Sequence, residues 1–181
     1  MTEEITSAWV RSGGGPLIAV PESVLEAWAG ADDDDLDDDD LGDDGEEERG
    51  GYGRACAVAG YAGVIDVGGT PALVLGDDPA PTTFLPEHSV FLRRLAADSE
   101  EAAVGALGRA LEGARWEEAT HWDVPGPVVL FDAAFAAEDL GSTSSLRVDL
   151  AAGSYRVESA YVEPDEDTWL LLVRLSPEPP L

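Results

Sequence analysis

The sequence predicts an α+β protein, mainly antiparallel β: two sheet-rich units, sandwich-like, with two short helices and an acidic disordered loop. Three observations carry that reading. Short apolar or alternating runs recur along the chain, separated by Gly, Pro and Asp turns at hairpin spacing. Only two segments place apolar residues at helical spacing. One stretch, Asp32 to Glu48, holds 13 acidic residues and no basic one. The chain reads as a single domain over 1–181, with 31–51 as an acidic insertion.

Trp9-Val10-Arg11 and Pro16 to Val20 are expected as short strands joined by Gly13-Gly14-Gly15, where glycine permits backbone angles that a side chain forbids. Pro21 suits a first helical turn, with Val24, Leu25 and Trp28 on one face and Gly30 as the stop. In the acidic run that follows, like charges repel, and only Leu36 and Leu41 offer anything to bury, so it reads as a solvated loop.

From Gly51 to about Ala97 a β-meander is expected, with strands at Ala55–Tyr61, Gly63–Val67, Ala72–Leu75, Thr82–Leu85 and Val90–Leu95. Asp98-Ser99-Glu100-Glu101 resembles a capping box. It opens a helix carrying Val104, Leu107 and Leu111 that ends near Gly113. Beyond Trp116, strands are expected at Val128–Asp132, Leu146–Leu150, Tyr155–Val162 and Thr168–Leu175, with a frayed Pro-rich tail. Trp9 followed by Gly15-Pro16-Leu17-Ile18 is echoed by Trp122 followed by Gly126-Pro127-Val128-Val129, which raises a duplication as one possibility.

Composition restricts the partners. The formal charge is −28, all ten basic residues are Arg, and outside the run the chain still carries −15. Binding nucleic acid by neutralising phosphates needs clustered Lys and Arg, so a direct nucleic-acid ligand is not expected. A cationic protein partner is, because an acidic body attracts one over about 8 Å at physiological salt. With a single Cys there is no disulfide framework, and neither a secretory leader nor a membrane span is expected.

His88 and His121 are the only histidines and lie in no metal-binding or protease frame. Cys56, in an apolar context, reads as a small buried hydrophobe. Gly13-Gly14-Gly15-Pro16 lacks the Lys-Ser/Thr of a phosphate loop, and the Asp run lacks the glycine of a calcium loop. No catalytic group, cofactor or metal site is expected, which favours a binding protein.

Trp9-Val10-Arg11-Ser12-Gly13-Gly14-Gly15-Pro16-Leu17-Ile18, then Pro21, Leu25, Trp28 and Gly30, resemble the opening motif of the immunity protein 21 family of bacterial polymorphic-toxin systems. Tyr52-Gly53-Arg54-Ala55-Cys56, Gly126-Pro127 through Asp132, Leu146 to Leu150, Gly153-Ser154-Tyr155 and Val157 resemble it too. The resemblance runs from about Trp9 to Leu175 and departs at Ala31 to Gly51, which is longer than the family's link. It implies a cytoplasmic, non-catalytic protein that binds and neutralises a cognate toxin. Trp9, Ser12, Gly14, Gly15, Pro16, Trp28, Arg54, Gly126, Pro127 and Asp132 then read as fold determinants. A basic toxin, with a nuclease favoured, would meet Asp37, Asp38, Asp39, Asp40, Asp43, Asp44, Glu46 and Glu47. The residues alone leave two alternatives open: a general acidic interaction domain, and an enzyme of unrecognised type using His121 or paired carboxylates.

Overall fold

The computed structural model describes residues 8–31, 51–76 and 79–179. The acidic run and its eight candidate contact residues lie outside them. Among the described residues, ten strands form two five-stranded sheets, and every paired neighbour is antiparallel. The strands are β1 (Leu17–Pro21), β2 (Ala62–Val67), β3 (Thr70–Leu75), β4 (Thr82–Leu85), β5 (Val90–Ala96), β6 (Glu117–Val124), β7 (Val128–Asp132), β8 (Ser145–Val148), β9 (Gly153–Asp165) and β10 (Thr168–Pro177). Sheet I has the order β2-β3-β1-β7-β8, and sheet II the order β4-β5-β10-β9-β6.

The sheets face each other across one core. Leu17, Ala19, Leu73, Leu75, Val128 and Leu130 of sheet I meet Phe91, Trp122, Tyr155, Val157, Val173 and Leu175 of sheet II. The outer face of sheet I is covered by α1 (Gly51–Cys56), by the 3-10 helix Glu22–Ala27, and by Trp28 and Leu140. The outer face of sheet II is covered by α2 (Glu100–Gly105) and α3 (Leu107–Gly113). Strands β1 and β7 are thus enclosed on both faces. That is why Leu17–Pro21 and Val128–Asp132 are apolar almost throughout and do not alternate.

Several expected elements change on folding. The strand expected at Ala55–Tyr61 does not form: Ala55 and Cys56 end helix α1, whose Ala55 packs onto the outer face of sheet I, and the next strand, β2, starts only at Ala62. Pro21 ends β1 and caps a 3-10 turn, and Trp28 follows that turn in extended conformation. The one expected helix after Asp98 is two, meeting at Ala106. Its cap is Ser99, whose hydroxyl accepts the Ala102 N–H at 3.0 Å. Trp9-Val10-Arg11 contributes a single bridge, Val10 to Thr82. Strand β6 begins at Glu117, ahead of the strand start expected at His121, and the 3-10 helix Ala137–Ser142 was not anticipated. Pro177 closes β10 opposite Tyr155, and Glu178 N–H donates to Ser154 O, so the ladder runs further into the tail than expected.

The two Gly-Pro strands of the sequence echo lie side by side as β1 and β7, Leu17 opposite Asp132 and Pro21 opposite Val128. The meander, by contrast, divides: β2 and β3 enter sheet I, while β4 and β5 enter sheet II.

Close approach of backbone makes any side chain costly at Gly30. Residues 28–31 run beside 134–137, with Ala31 N–H donating to Ala134 O and Ala137 N–H to Trp28 O. Gly30 between them has φ +73°, and a Cβ there would lie 2.6 Å from Ala136 N and 2.7 Å from Ala134 O. Gly60 has a similar φ of +80° but open space around it. Gly30→Ala is therefore expected to cost about 2–5 kcal/mol, against about 1–2 kcal/mol for Gly60→Ala. Denaturant titration of both variants checks this; equal losses would show that backbone strain alone, and not the close approach, sets the cost.

Candidate functional site

The Gly-rich turn before β1 is held by two polar side chains. Ser12 Oγ donates to Gly15 O at 2.6 Å and accepts the Gly14 N–H at 3.1 Å, closing the turn on itself. Gly13 N–H donates to Asp132 Oδ2 at 2.8 Å, and Ala134 N–H donates to Asp132 Oδ1 at 2.9 Å. Asp132, buried at the end of β7, thereby ties the start of β1 to the loop after its neighbour. Trp28 completes the arrangement: its indole, also buried, donates to Ala133 O at 3.1 Å.

The remaining motif residues do not converge there. Gly126 and Pro127 lie at the opposite end of the β1–β7 pair, where Pro127 O accepts the Glu22 N–H at 3.0 Å. Trp9 packs with the helices over sheet II, and Arg54 is half-buried on α1.

Gly14, Gly15, Pro16, Tyr52, Ala55, Cys56, Val58 and Gly76 line a depression of about 190 Å³. Cys56 is exposed there, not buried as its apolar sequence context suggested, because α1 turns it outward while Ala55 faces the sheet. Among the described residues the lining contains no carboxylate, imidazole or cation; its one titratable group besides the thiol is the Tyr52 phenol. Among the described residues, no group of three or more His, Cys, Asp or Glu could hold a metal ion, and no helix is long and apolar enough to cross a membrane. Every buried side-chain polar atom among them has a hydrogen-bond partner.

Charged groups gather on the outer face of sheet II. His121 Nδ1 is 2.9 Å from Glu178 Oε2, and its Nε2 is 3.4 Å from Glu118 Oε1. Arg156 approaches both carboxylates, at 3.5 and 3.8 Å. Nearby, Arg174 forks onto Glu158 with bonds of 2.7 and 3.0 Å and lies 4.0 Å over the Trp116 ring. Hydrogen bonding to Glu178, then its charge, raises the His121 pKa above 6.5, with Glu118 adding to the effect. The protonated ring is the form favoured by folding. Its stabilising contribution is present below the unfolded value and fades as pH rises through the folded one. An NMR titration is expected to place the His121 midpoint above 6.5, and Glu178→Gln to return it toward 6.5. A midpoint unmoved by Glu178→Gln would remove Glu178 as the cause. His88 is exposed in the turn between β4 and β5.

Two aromatic residues stand out that the sequence reading did not single out as surface features: Tyr161 and Trp169 are 43% and 45% exposed on neighbouring strands β9 and β10. Tyr161 falls within the expected strand Tyr155–Val162 and Trp169 within Thr168–Leu175. The missing signal was where the opposing sheet stops.

No curated protein matches the chain, and neither does any solved structure. A family model does: that of immunity protein 21, a family named for its place in toxin systems, matches residues 8–168 of the 181. The match takes in the Ser12–Pro16 turn, Trp28, Asp132 and all but the last strand, and by it the chain belongs to the immunity protein 21 family.

Proposed function

We propose that the chain binds a cognate toxin domain and neutralises it by non-catalytic contact, acting in the cytoplasm. The family match over residues 8–168 carries this reading. The local chemistry agrees with it: Ser12, Trp28 and Asp132 hold backbone groups, and the described lining of the depression beside Cys56 carries no carboxylate or imidazole. The toxin is basic, a nuclease being the favoured kind, because a groove that binds phosphates must be positively charged and an inhibitor of charge −28 without Lys imitates the polyanion. Asp37 to Asp40, Asp43, Asp44, Glu46 and Glu47 supply a dense part of the steering field.

Co-expression with the cognate toxin tests the reading. Cells producing both proteins grow, and cells producing the toxin alone do not. His88→Gln combined with His121→Gln is expected to leave protection intact. Loss of protection by a double variant that still folds would favour an enzymatic role instead.

A further inference from the structure

The open end of the inner face of sheet II has the chemistry of a docking surface. Trp169 lies between Thr168, paired with Asp165, and Leu170, paired with Val162. Leu170 and Val162 pack against the layer of α2 and α3. Both pairings of β10 shift register at Trp169, with the extra residue on β9 and on β5, so alternation along β10 itself turns Trp169 to the other face. There Tyr161, paired with Leu171, donates its hydroxyl to Glu163 Oε1 at 2.8 Å. Ser159, two residues before Tyr161 and on the same side, is paired with Glu117 of β6. Further along this face Val157, Val173 and Trp122 are closed off by sheet I, but the cover stops short of Tyr161 and Trp169. Two aromatic rings and two carboxylates are thus displayed on rigid strands. Among the described residues of β6, β9 and β10, no basic side chain projects from this side; on β5 the same face carries Arg93, which is fully buried and donates to Gly76 O and Thr82 Oγ1.

The opposite side of the same sheet shows what such a set takes. There Trp116 and Glu158 hold the Arg174 guanidinium between ring and carboxylate. We propose that the open face receives a basic segment of the cognate toxin, an Arg or Lys side chain lying over Trp169 with its charge met by Glu163 and Glu117. This rests on the immunity reading above. Charge selects the occupant: a second copy of a chain carrying −28 is repelled, whereas a cationic surface is attracted. A tryptophan on the strand offers a cation the strongest ring attraction together with apolar area, the combination found at the centres of tight interfaces.

The test uses the full chain and a catalytically inactivated form of the toxin domain against which it protects cells, with Kd measured by calorimetry and Tm recorded for every variant. Trp169→Ala is expected to weaken binding on the order of tenfold to a hundredfold. Glu163→Gln, which preserves shape, should cost about fivefold. Phe135→Ala removes the other exposed large aromatic, 37% exposed, and should change Kd less than about twofold. Binding by Trp169→Ala and Glu163→Gln within twofold of the parent overturns the surface and leaves the inhibitor reading standing. No binding by the parent overturns both. A dimer of the free chain that Trp169→Ala dissociates assigns the face to a second copy and also overturns the proposal.

Discussion

Replacing Trp122 by Ala is expected to lower the unfolding free energy by about 3–5 kcal/mol, a large part of what holds a domain of this size folded. Trp122 is fully buried on β6 and sits in the core between the sheets with Leu17, Leu73, Leu75 and Phe91. Its indole N–H also donates to Pro71 O of β3 at 2.9 Å, so one side chain supplies both packing and a polar link from sheet II to sheet I. Deleting the ring leaves a cavity that enclosed strands cannot close by collapsing. Trp122→Phe retains most of the buried area but leaves the Pro71 carbonyl without that donor, so a smaller loss of about 1–3 kcal/mol is expected. Urea titration with an unchanged denaturant slope would measure both. A loss below about 1 kcal/mol for Trp122→Ala would mean that the two sheets do not share the core described above.

Association with a basic toxin is expected to slow by about ten- to a hundredfold between low and high salt, while dissociation changes far less. Charges outside the buried centre of an interface act mainly on encounter, and salt screens them within about one Debye length. Changing every Asp and Glu of residues 32–48 to Asn or Gln should reproduce much of the loss at low salt and little of it at high salt. Because the rest of the chain still carries −15, the neutralised version should keep part of its salt dependence. Stopped-flow rates for both versions at two salt concentrations decide the point. An association rate indifferent to salt and to neutralisation would end polyanion mimicry without touching inhibition by contact.

The elements that were legible are those whose burial pattern is local. Leu17–Pro21, Val128–Asp132 and the β9–β10 hairpin announce themselves because apolar content or alternation follows directly from which faces are covered. Gly51–Cys56 did not, since six residues carry too little intrinsic preference to outweigh the sheet face on which they pack. Cys56 was misread for the same reason: an apolar neighbourhood in sequence fits a buried thiol, but a helix places neighbours on different sides.

The Ser-Gly-Gly-Gly-Pro turn was visible as a motif, but its anchor was not. Asp132 comes 119 residues after Gly13, and only the antiparallel pairing of β1 with β7 brings the carboxylate to the turn. Likewise Tyr161 and Trp169 look in sequence like ordinary strand aromatics.

By itself the sequence determined the strand-rich class, the acidic character, the Gly-Pro turns and the likeness to immunity proteins, all of which follow from residue identity and short-range spacing. Tertiary structure alone decided that one meander divides between two sheets, that Asp132 closes a distant turn, and that the aromatic end of β9 and β10 is open. Those outcomes depend on which strands pair across the chain and where one sheet stops covering the other, and both are set by long-range packing of side chains from the two sheets.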